Sequence, residues 1–268
     1  MNYIYFIVKI TVSLPILFLH ILTNFFIKLK IGKLDTSRIG NILTAELYLT
    51  KKKIEKKNSI DIWVTDKTIC NSTMLDILKR NFFILDYFRF YYETIHYLSL
   101  KFNLFSYLKI KLSLNENYKY IHKLKTQLQI TKKEIIKSRE KIKKITIPKN
   151  NGIICITCRD EAYLKTYHHN KNFQYHSFRN SEVKSFIPLI KRLTKKKYFV
   201  IRMGKIADKS VDIKNKYFLD YPFCNIKSDL LDFYFAKNCK LWIGSNTGLD
   251  CLAVMFQKPM VLLNLSPA

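Results

Sequence analysis

Arginine is the scarce cation of this chain, with eight against 39 lysines. In such a background arginine should persist where a planar, bidentate donor is needed, since a guanidinium forks onto a carboxylate or phosphate and an ammonium does not. Four of the eight, Arg38, Arg159, Arg179 and Arg202, stand in loops or directly after apolar runs that read as strands. In an open parallel sheet, ligands bind outside the carboxyl ends of the strands. Arg38, Arg159 and Arg202 therefore point to an anionic ligand, and ordinary surface ion pairs are the plain alternative. A second group has the same chemistry. Gly244-Ser245-Asn246-Thr247-Gly248 joins an apolar run to a helical pattern beginning near Leu249. Such a turn offers backbone N–H groups and a helix N-terminus to phosphate oxygens, with Ser245 and Thr247 adding hydroxyl donors. A capped connection without a ligand is the competing reading. The spacing is that of neither a Walker loop nor a dinucleotide fingerprint.

The elements that must carry these groups follow from periodicity. Ile31–Asp35 reads as a strand, Thr36–Asn41 as a tight loop and Ile42 to about Lys52 as a helix. Ile60–Thr65 alternates like a second strand, and Asn71/Ser72 starts a helix through Lys79. Residues 82–110, rich in Phe, Tyr and Leu, read as helices packed on the sheet, and Asn115–Ile145 as long solvent-facing helices. After the connector Pro148-Lys149-Asn150-Asn151-Gly152 the rhythm becomes regular. Strands are predicted at Ile153–Cys158, Tyr198–Met203, Tyr217–Tyr221, Lys240–Ile243 and Met260–Asn264. Helices are predicted at Ser181–Lys196, Ser228–Asn238 and Leu249–Gln257. Short apolar strands alternating with helices imply parallel βαβ units. The expected architecture is α/β, with an apolar N-terminal helix in 1–30, one α/β domain in 31–147 and a second in 148–268. The chain stops at Ser266-Pro267-Ala268, straight after a strand and before a covering helix, so the second domain is expected to be incomplete.

Composition narrows the classes. Forty-seven basic and 20 acidic residues give a net charge of +27, and 48% of the 268 residues are apolar, which excludes a disordered tail. Six cysteines without a paired framework suit a reducing compartment. The lysine excess is spread along the chain, and no zinc finger or aromatic RNA-binding signature accompanies it. A nucleic-acid partner is accordingly not expected; an anionic membrane surface, a phosphorylated substrate or an acidic polysaccharide fits. The run Ile10–Ile27 is almost uncharged, broken by Pro15, His20 and Asn24, and reads as a signal anchor or an in-plane membrane helix, with a buried core helix as the alternative. If it spans, Lys28, Lys30 and Lys33 outweigh Lys9 and leave the bulk of the chain on the cytoplasmic side.

Asp220–Asn264 resembles the donor-binding half of GT-B glycosyltransferases and is similar to the lipopolysaccharide heptosyltransferases, whose turn reads Asp-Thr-Gly before an alanine-rich helix. More closely, the chain resembles a bacterial family of GT-B-type glycosyltransferases from surface-polysaccharide loci. Its marks are SRIGN (Ser37–Asn41), CRD (Cys158–Asp160), HSFRN (His176–Asn180), VIRMGK (Val200–Lys205) and GSNTGLD (Gly244–Asp250). The resemblance spans roughly residues 31–265. It implies two Rossmann-like domains and transfer of a sugar from a nucleotide-sugar donor to a glycan or lipid-linked acceptor, with no cofactor.

The resemblance further implies a donor side made of Arg202, Gly204, Asp229, Ser245, Asn246, Thr247 and Gly248, and an acceptor-side loop made of Arg38, Gly40, Asn41 and Arg179. Arg159 and Arg202 would neutralise the leaving diphosphate, so that no metal is needed; no Asp-x-Asp pair suits a divalent ion. Heptosyltransferases place an acidic residue where Asn41 stands, and Asn41 cannot take a proton, so Asp160 and Glu161 become the candidate bases, with Asp35 behind them. Asn246 and Cys251 stand where the heptosyltransferase turn has Asp and His. A non-catalytic sugar-phosphate or polysaccharide-binding remnant of a transferase is the alternative, and a basic nucleic-acid binder with steep salt dependence the third. Cys155-x-x-Cys158 lies in a strand and reads as core, and His168-His169 with His176 as a polar loop.

Overall fold

Two parallel sheets organise the chain, and each forms because short β-branched runs are separated by stretches long enough for a crossover helix. The computed structural model describes residues 3–145, 147–148, 151–167 and 174–264. The His168-His169 pair, part of the connector at 148–152 and the terminal Ser266-Pro267-Ala268 lie outside these residues, as does the side chain of His176. The chain divides into two units, residues 1–128 and 129–268.

The first unit runs α1 (Tyr3–Phe26), β1 (Leu29–Leu34), α2 (Ile42–Ile54), β2 (Ile60–Thr65), α3 (Ser72–Asn81), β3 (Phe83–Ile84), α4 (Arg89–Lys101) and the single turn α5 (Leu114–Asn117). Its three strands are parallel in the order β1-β2-β3, and a further parallel bridge, Ile31 to Lys109, extends the other side of β1. Period-two alternation sends Ile31 and Val64 to one face, where they pack with Leu17 of α1 and Tyr91, Tyr92 and Ile95 of α4. Gly32 and Trp63, register partners, belong to the opposite face, where the Trp63 ring meets Tyr48 of α2 edge-on at 4.9 Å. Asn71 caps α3 by accepting the Met74 amide at 2.9 Å, as its type predicts.

The second unit runs α6 (Lys132–Lys141), β4 (Ile153–Thr157), α7 (Ala162–Tyr167), α8 (Ile187–Lys195), β5 (Phe199–Met203), β6 (Phe218–Asp220), α9 (Asp229–Asn238), β7 (Cys239–Gly244), α10 (Asp250–Met255) and β8 (Met260–Leu262). All five strands are parallel in the order β6-β5-β4-β7-β8. That is the 3-2-1-4-5 order of a doubly wound sheet, whose direction of winding reverses between β4 and β7. One face packs on Phe186 and on Ile190 of α8. α9 is buried almost all round, with Leu231, Phe233, Phe235 and Ala236 at 0% exposure, as suits a helix enclosed between neighbours.

Three expectations are corrected. Residues 115–145 do not form long helices: only α5 and α6 are regular α-helix there, and His122 takes a left-handed φ of 57°. The buried Glu46 carboxylate accepts the amides of Gln127 and Leu128, both at 2.8 Å, while Leu128 and Ile130 turn inward, so a tertiary anchor overrides the helical composition. The segment from Gln129, assigned in sequence to the first domain, belongs to the second unit, where α6 packs on α9 and Lys237 bonds Gln129 at 2.6 Å. The aromatic stretch after Asn81 also contributes the short strand β3, which the density of Phe and Tyr masks as helix.

Gly32 is obligatory for packing. A Cβ there would lie 2.5 Å from a Trp63 ring carbon and 3.0 Å from Ile110 Cβ. Gly32→Ala is therefore expected to destabilise the chain by about 1–3 kcal/mol, the usual range for overpacking, as a lowered urea midpoint at an unchanged m-value followed by tryptophan fluorescence.

Candidate functional site

The carboxyl ends of β4 and β7 meet around one buried carboxylate. Asp250, at the start of α10 and 6% exposed, accepts the Thr157 hydroxyl at 2.7 Å, the Trp242 indole N–H at 2.8 Å and the Thr247 amide at 2.7 Å. Thr157 ends β4 and in turn accepts the Ser245 amide at 3.1 Å. Gly244 makes room for this carboxylate, since a Cβ there would lie 2.8 Å from Asp250 Cγ. Asn246 bends the turn with a φ of 60°, a left-handed conformation that asparagine tolerates better than most residues.

Arg159 is fixed on this turn. Its amide donates to Ser245 Oγ at 2.8 Å, and its guanidinium Nη1 donates to the Asn246 carbonyl at 3.3 Å. The structure thus gathers Arg159, Ser245, Asn246 and Thr247 at the point where the sheet reverses winding, the usual ligand crevice of such sheets. The individual roles differ from those foreseen. Ser245 is 0% exposed and serves the backbone of Arg159. The Thr247 hydroxyl is buried, and its amide is taken by Asp250. α10 has only six residues and begins with its own carboxylate, so its N-terminus is internally neutralised. Asn246, Gly248 and Leu249 complete the turn, and Gly248 is exposed.

Arg202 is the largest correction. It is 2% exposed, donates to the Lys209 carbonyl at 2.6 Å, pairs with Asp220 at 3.3 Å and lies 3.8 Å from the Asp160 carboxylate. It braces the loops after β4 and β5 and the end of β6. Gly204, beyond it, lies hard against Pro222, which a Cβ would approach to 3.1 Å.

Asp160, proposed from sequence as a base, accepts the Ala162 amide at 3.1 Å and the Asp208 amide at 3.0 Å, so both of its oxygens hold loops. Glu161 is ion-paired with Lys165 at 3.0 Å and accepts from Asn180; the Lys165 bond holds its carboxyl below the usual range, which weakens it as a proton acceptor. Asp229 pairs with Lys205 at 3.7 Å, and Ser228 makes no side-chain cap bond.

Arg179, assigned to the acceptor side, belongs to the second unit. Its neighbours Asn180 and Ser181 bond Glu161 and the Arg159 carbonyl, and its guanidinium lies over Phe178 at 5.8 Å. In the first unit, Arg38, Gly40 and Asn41 form the turn after β1, Arg38 exposed and Asn41 helical in backbone. Asp35, at the end of β1, accepts the Ser37 amide at 3.0 Å, and Lys33 pairs with Asp66 at 2.5 Å.

Sequence reasoning missed four groups. Asp250, Thr157 and Trp242 build the turn, and the Asp three residues after Thr247 was a visible signal. Asp232, 4% exposed in the first turn of α9, is the fourth. Burial pushes its carboxyl up to about 7. Its bond with the Tyr221 hydroxyl works against that burial, and the same hydroxyl accepts the Ser228 amide at 3.0 Å and bonds the Ser228 carbonyl at 2.8 Å.

Comparison with known proteins finds no matching family model and no matching curated protein. Solved structures do match. A glycosyl transferase family 9 protein from Veillonella parvula superposes with a TM-score of 0.54 at 10% identity, covering 87% of this chain and 80% of that one. The E. coli ADP-heptose lps heptosyltransferase II gives 0.52 at 13% identity, covering 87% and 84%. The chain therefore shares the fold of these glycosyltransferases.

Two outcomes follow from the buried carboxylates. In Asp250→Asn the amide NH2 must face either Thr247 N–H or the Trp242–Thr157 pair, donor against donor. We expect a loss of about 1–3 kcal/mol in urea unfolding and faster amide exchange at Thr247. For Asp232, the folded state binds its proton more tightly than the unfolded chain, so stability falls as pH rises from about 4 to about 7. Asp232→Asn should match wild type near pH 4 and exceed it by roughly 1–4 kcal/mol at pH 8, read as melting temperature against pH.

Proposed function

We propose that this chain is a glycosyltransferase that moves a sugar from a nucleotide-sugar donor to a surface glycan or lipid-linked acceptor. It does so without a metal ion, at the cytoplasmic face of a membrane. The observation that carries the reading is Arg159, pinned by its own backbone onto the Ser245–Asn246 turn at the reversal point of a doubly wound sheet. The fold shared with the two solved transferases supports it.

The chemistry asked of this site is modest. As the glycosidic bond to the donor breaks, negative charge grows on the departing diphosphate, and donors already fixed in place stabilise that charge without reorganising. Arg159 is the cation for this role, with the amides of Asn246, Gly248 and Leu249 as neutral donors. Lys205, which follows β5, is held by Asp229. Arg202 acts at one remove, holding Asp160 and Asp220 and so the loops around Arg159. On the acceptor side, the Arg38–Gly40–Asn41 turn at the end of β1 is the counterpart.

The engagement of Asp160 and Glu161 in loop contacts favours a second reading, a non-catalytic sugar-phosphate or polysaccharide-binding protein on the same scaffold. A screen of nucleotide sugars for donor hydrolysis and transfer separates the two. We expect turnover with at least one donor, unchanged by EDTA, and a fall in kcat/KM of about 100-fold or more in Arg159→Ala at a similar melting temperature, equivalent to about 3 kcal/mol of lost transition-state stabilisation. Nucleotide-sugar binding with no turnover establishes the second reading. Binding of no nucleotide sugar overturns the transferase reading.

A further inference from the structure

α1 is apolar and 24 residues long, so its length alone would let it cross a bilayer. Its contacts decide otherwise. Lys9, Ser13, Leu17, His20 and Asn24 repeat at spacings of three and four and share one stripe, and that stripe docks on the folded first unit. Lys9 pairs with Glu93, and Ser13 meets the Thr94 hydroxyl at 3.0 Å. Leu17 enters the core with Ile31 and Tyr91. His20 bonds Tyr91 at 2.6 Å and the Leu29 carbonyl at 3.0 Å, and Asn24 accepts the Leu29 amide at 2.9 Å. The side chains that break the hydropathy of the run are thus largely the ones that grip the protein.

The remaining surface of α1 is greasy and bare. Phe18, Phe25 and Phe26 are 67%, 80% and 85% exposed, and Val12, Leu14 and Leu22 accompany them. Charge identifies what covers it. From Met1 to Leu34 the chain has no acidic residue, while Lys28, exposed, and Lys30 and Lys33, half-buried, follow the helix directly. A second copy of this face would bring only like charges together, whereas an anionic headgroup layer over an acyl interior complements both the cations and the apolar side chains.

We infer that α1 is a monotopic membrane anchor: gripped along its polar stripe by α4 and β1, it lies in the plane of an anionic leaflet with Phe18, Phe25 and Phe26 among the acyl chains, and does not cross it. This rests on the membrane-surface reading given above and adds its geometry and lipid charge. Crossing would pull Ser13 and His20 from Thr94 and Tyr91, carry them toward the hydrocarbon and strip Leu17 from the core, exchanging satisfied polar groups for unsatisfied ones.

The test uses the full chain with vesicles of phosphatidylglycerol and phosphatidylethanolamine, and with vesicles of phosphatidylcholine alone. Flotation should recover the protein with the anionic vesicles, less with the neutral ones, and less as salt rises. Phe18→Glu and Phe25→Glu, both at exposed positions that leave the fold intact, should each lower partitioning about tenfold or more, whereas Ile136→Glu, exposed in the second unit, should not. Single tryptophans at Val12, Phe18 and Phe25, read by brominated lipids, should report one shallow depth. A profile deepest at Phe18 and shallow at the other two positions would mean a span and overturns this inference while leaving membrane attachment standing. Binding that ignores both glutamate substitutions overturns it too. Flotation with neither vesicle, or self-association through this face in its place, removes the membrane reading altogether.

Discussion

One buried carboxylate determines the shape of the carboxyl end of the sheet in the second unit. Asp250 draws a hydroxyl from β4, an indole from β7 and an amide from the intervening turn onto two oxygens. Each of those donors would be costly to bury unpaired, so the three elements hold one geometry together. Gly244 exists to admit that carboxylate, Ser245 becomes a bracket for Arg159, and Asn246 takes the left-handed bend that closes the loop. The turn is therefore preformed: its hydrogen bonds are made within the protein before any ligand arrives. Preorganisation of this kind is what a site needs if its donors are to meet a developing charge without rearranging.

The same economy explains why arginine was a good pointer and an imperfect one. Selecting arginine over lysine marks places where a planar fork matters, and Arg159 and Arg202 both occupy such places. A fork is equally useful inward and outward, however, and sequence carries no sign of direction. Arg202 faces Asp220, Asp160 and the Lys209 carbonyl, brought to it by three separate segments of the second unit. Asp160 became a candidate base because Asn41 cannot take a proton; its contacts make it a loop brace. Such roles depend on which loops converge, and that is tertiary information.

The strands were the most readable part of the chain. Ile60–Thr65 is a strand over its full expected length, and all five strands of the second sheet lie within two residues of where alternation placed them, β7 one residue longer at each end and the others slightly shorter. Buried parallel strands are uniform apolar runs bounded by polar turns, so local composition suffices. Residues 115–145 were illegible for the opposite reason. Their lysines and scarce glycine suggest helix, but Glu46, some eighty residues away in sequence, fixes Gln127 and Leu128 in an irregular path. The partition into units moved with it, because α6 belongs to α9. Asp250 was quoted within a motif and given no task, since nothing local reveals that its partners include Thr157, on another strand.

The docking of α1 has a practical corollary for handling this protein. An apolar leader is commonly trimmed to improve solubility, on the premise that it is an appendage. Here Leu17 is a core side chain, and His20 and Asn24 fasten the start of the first strand. Deleting the leader would uncover one face of the small sheet, leave the Tyr91 and Thr94 hydroxyls without their partners across the interface, and untie the entry to β1. A shortened version would be less soluble than the parent, and detergent or lipid, not excision, is the sound way to keep the first unit intact.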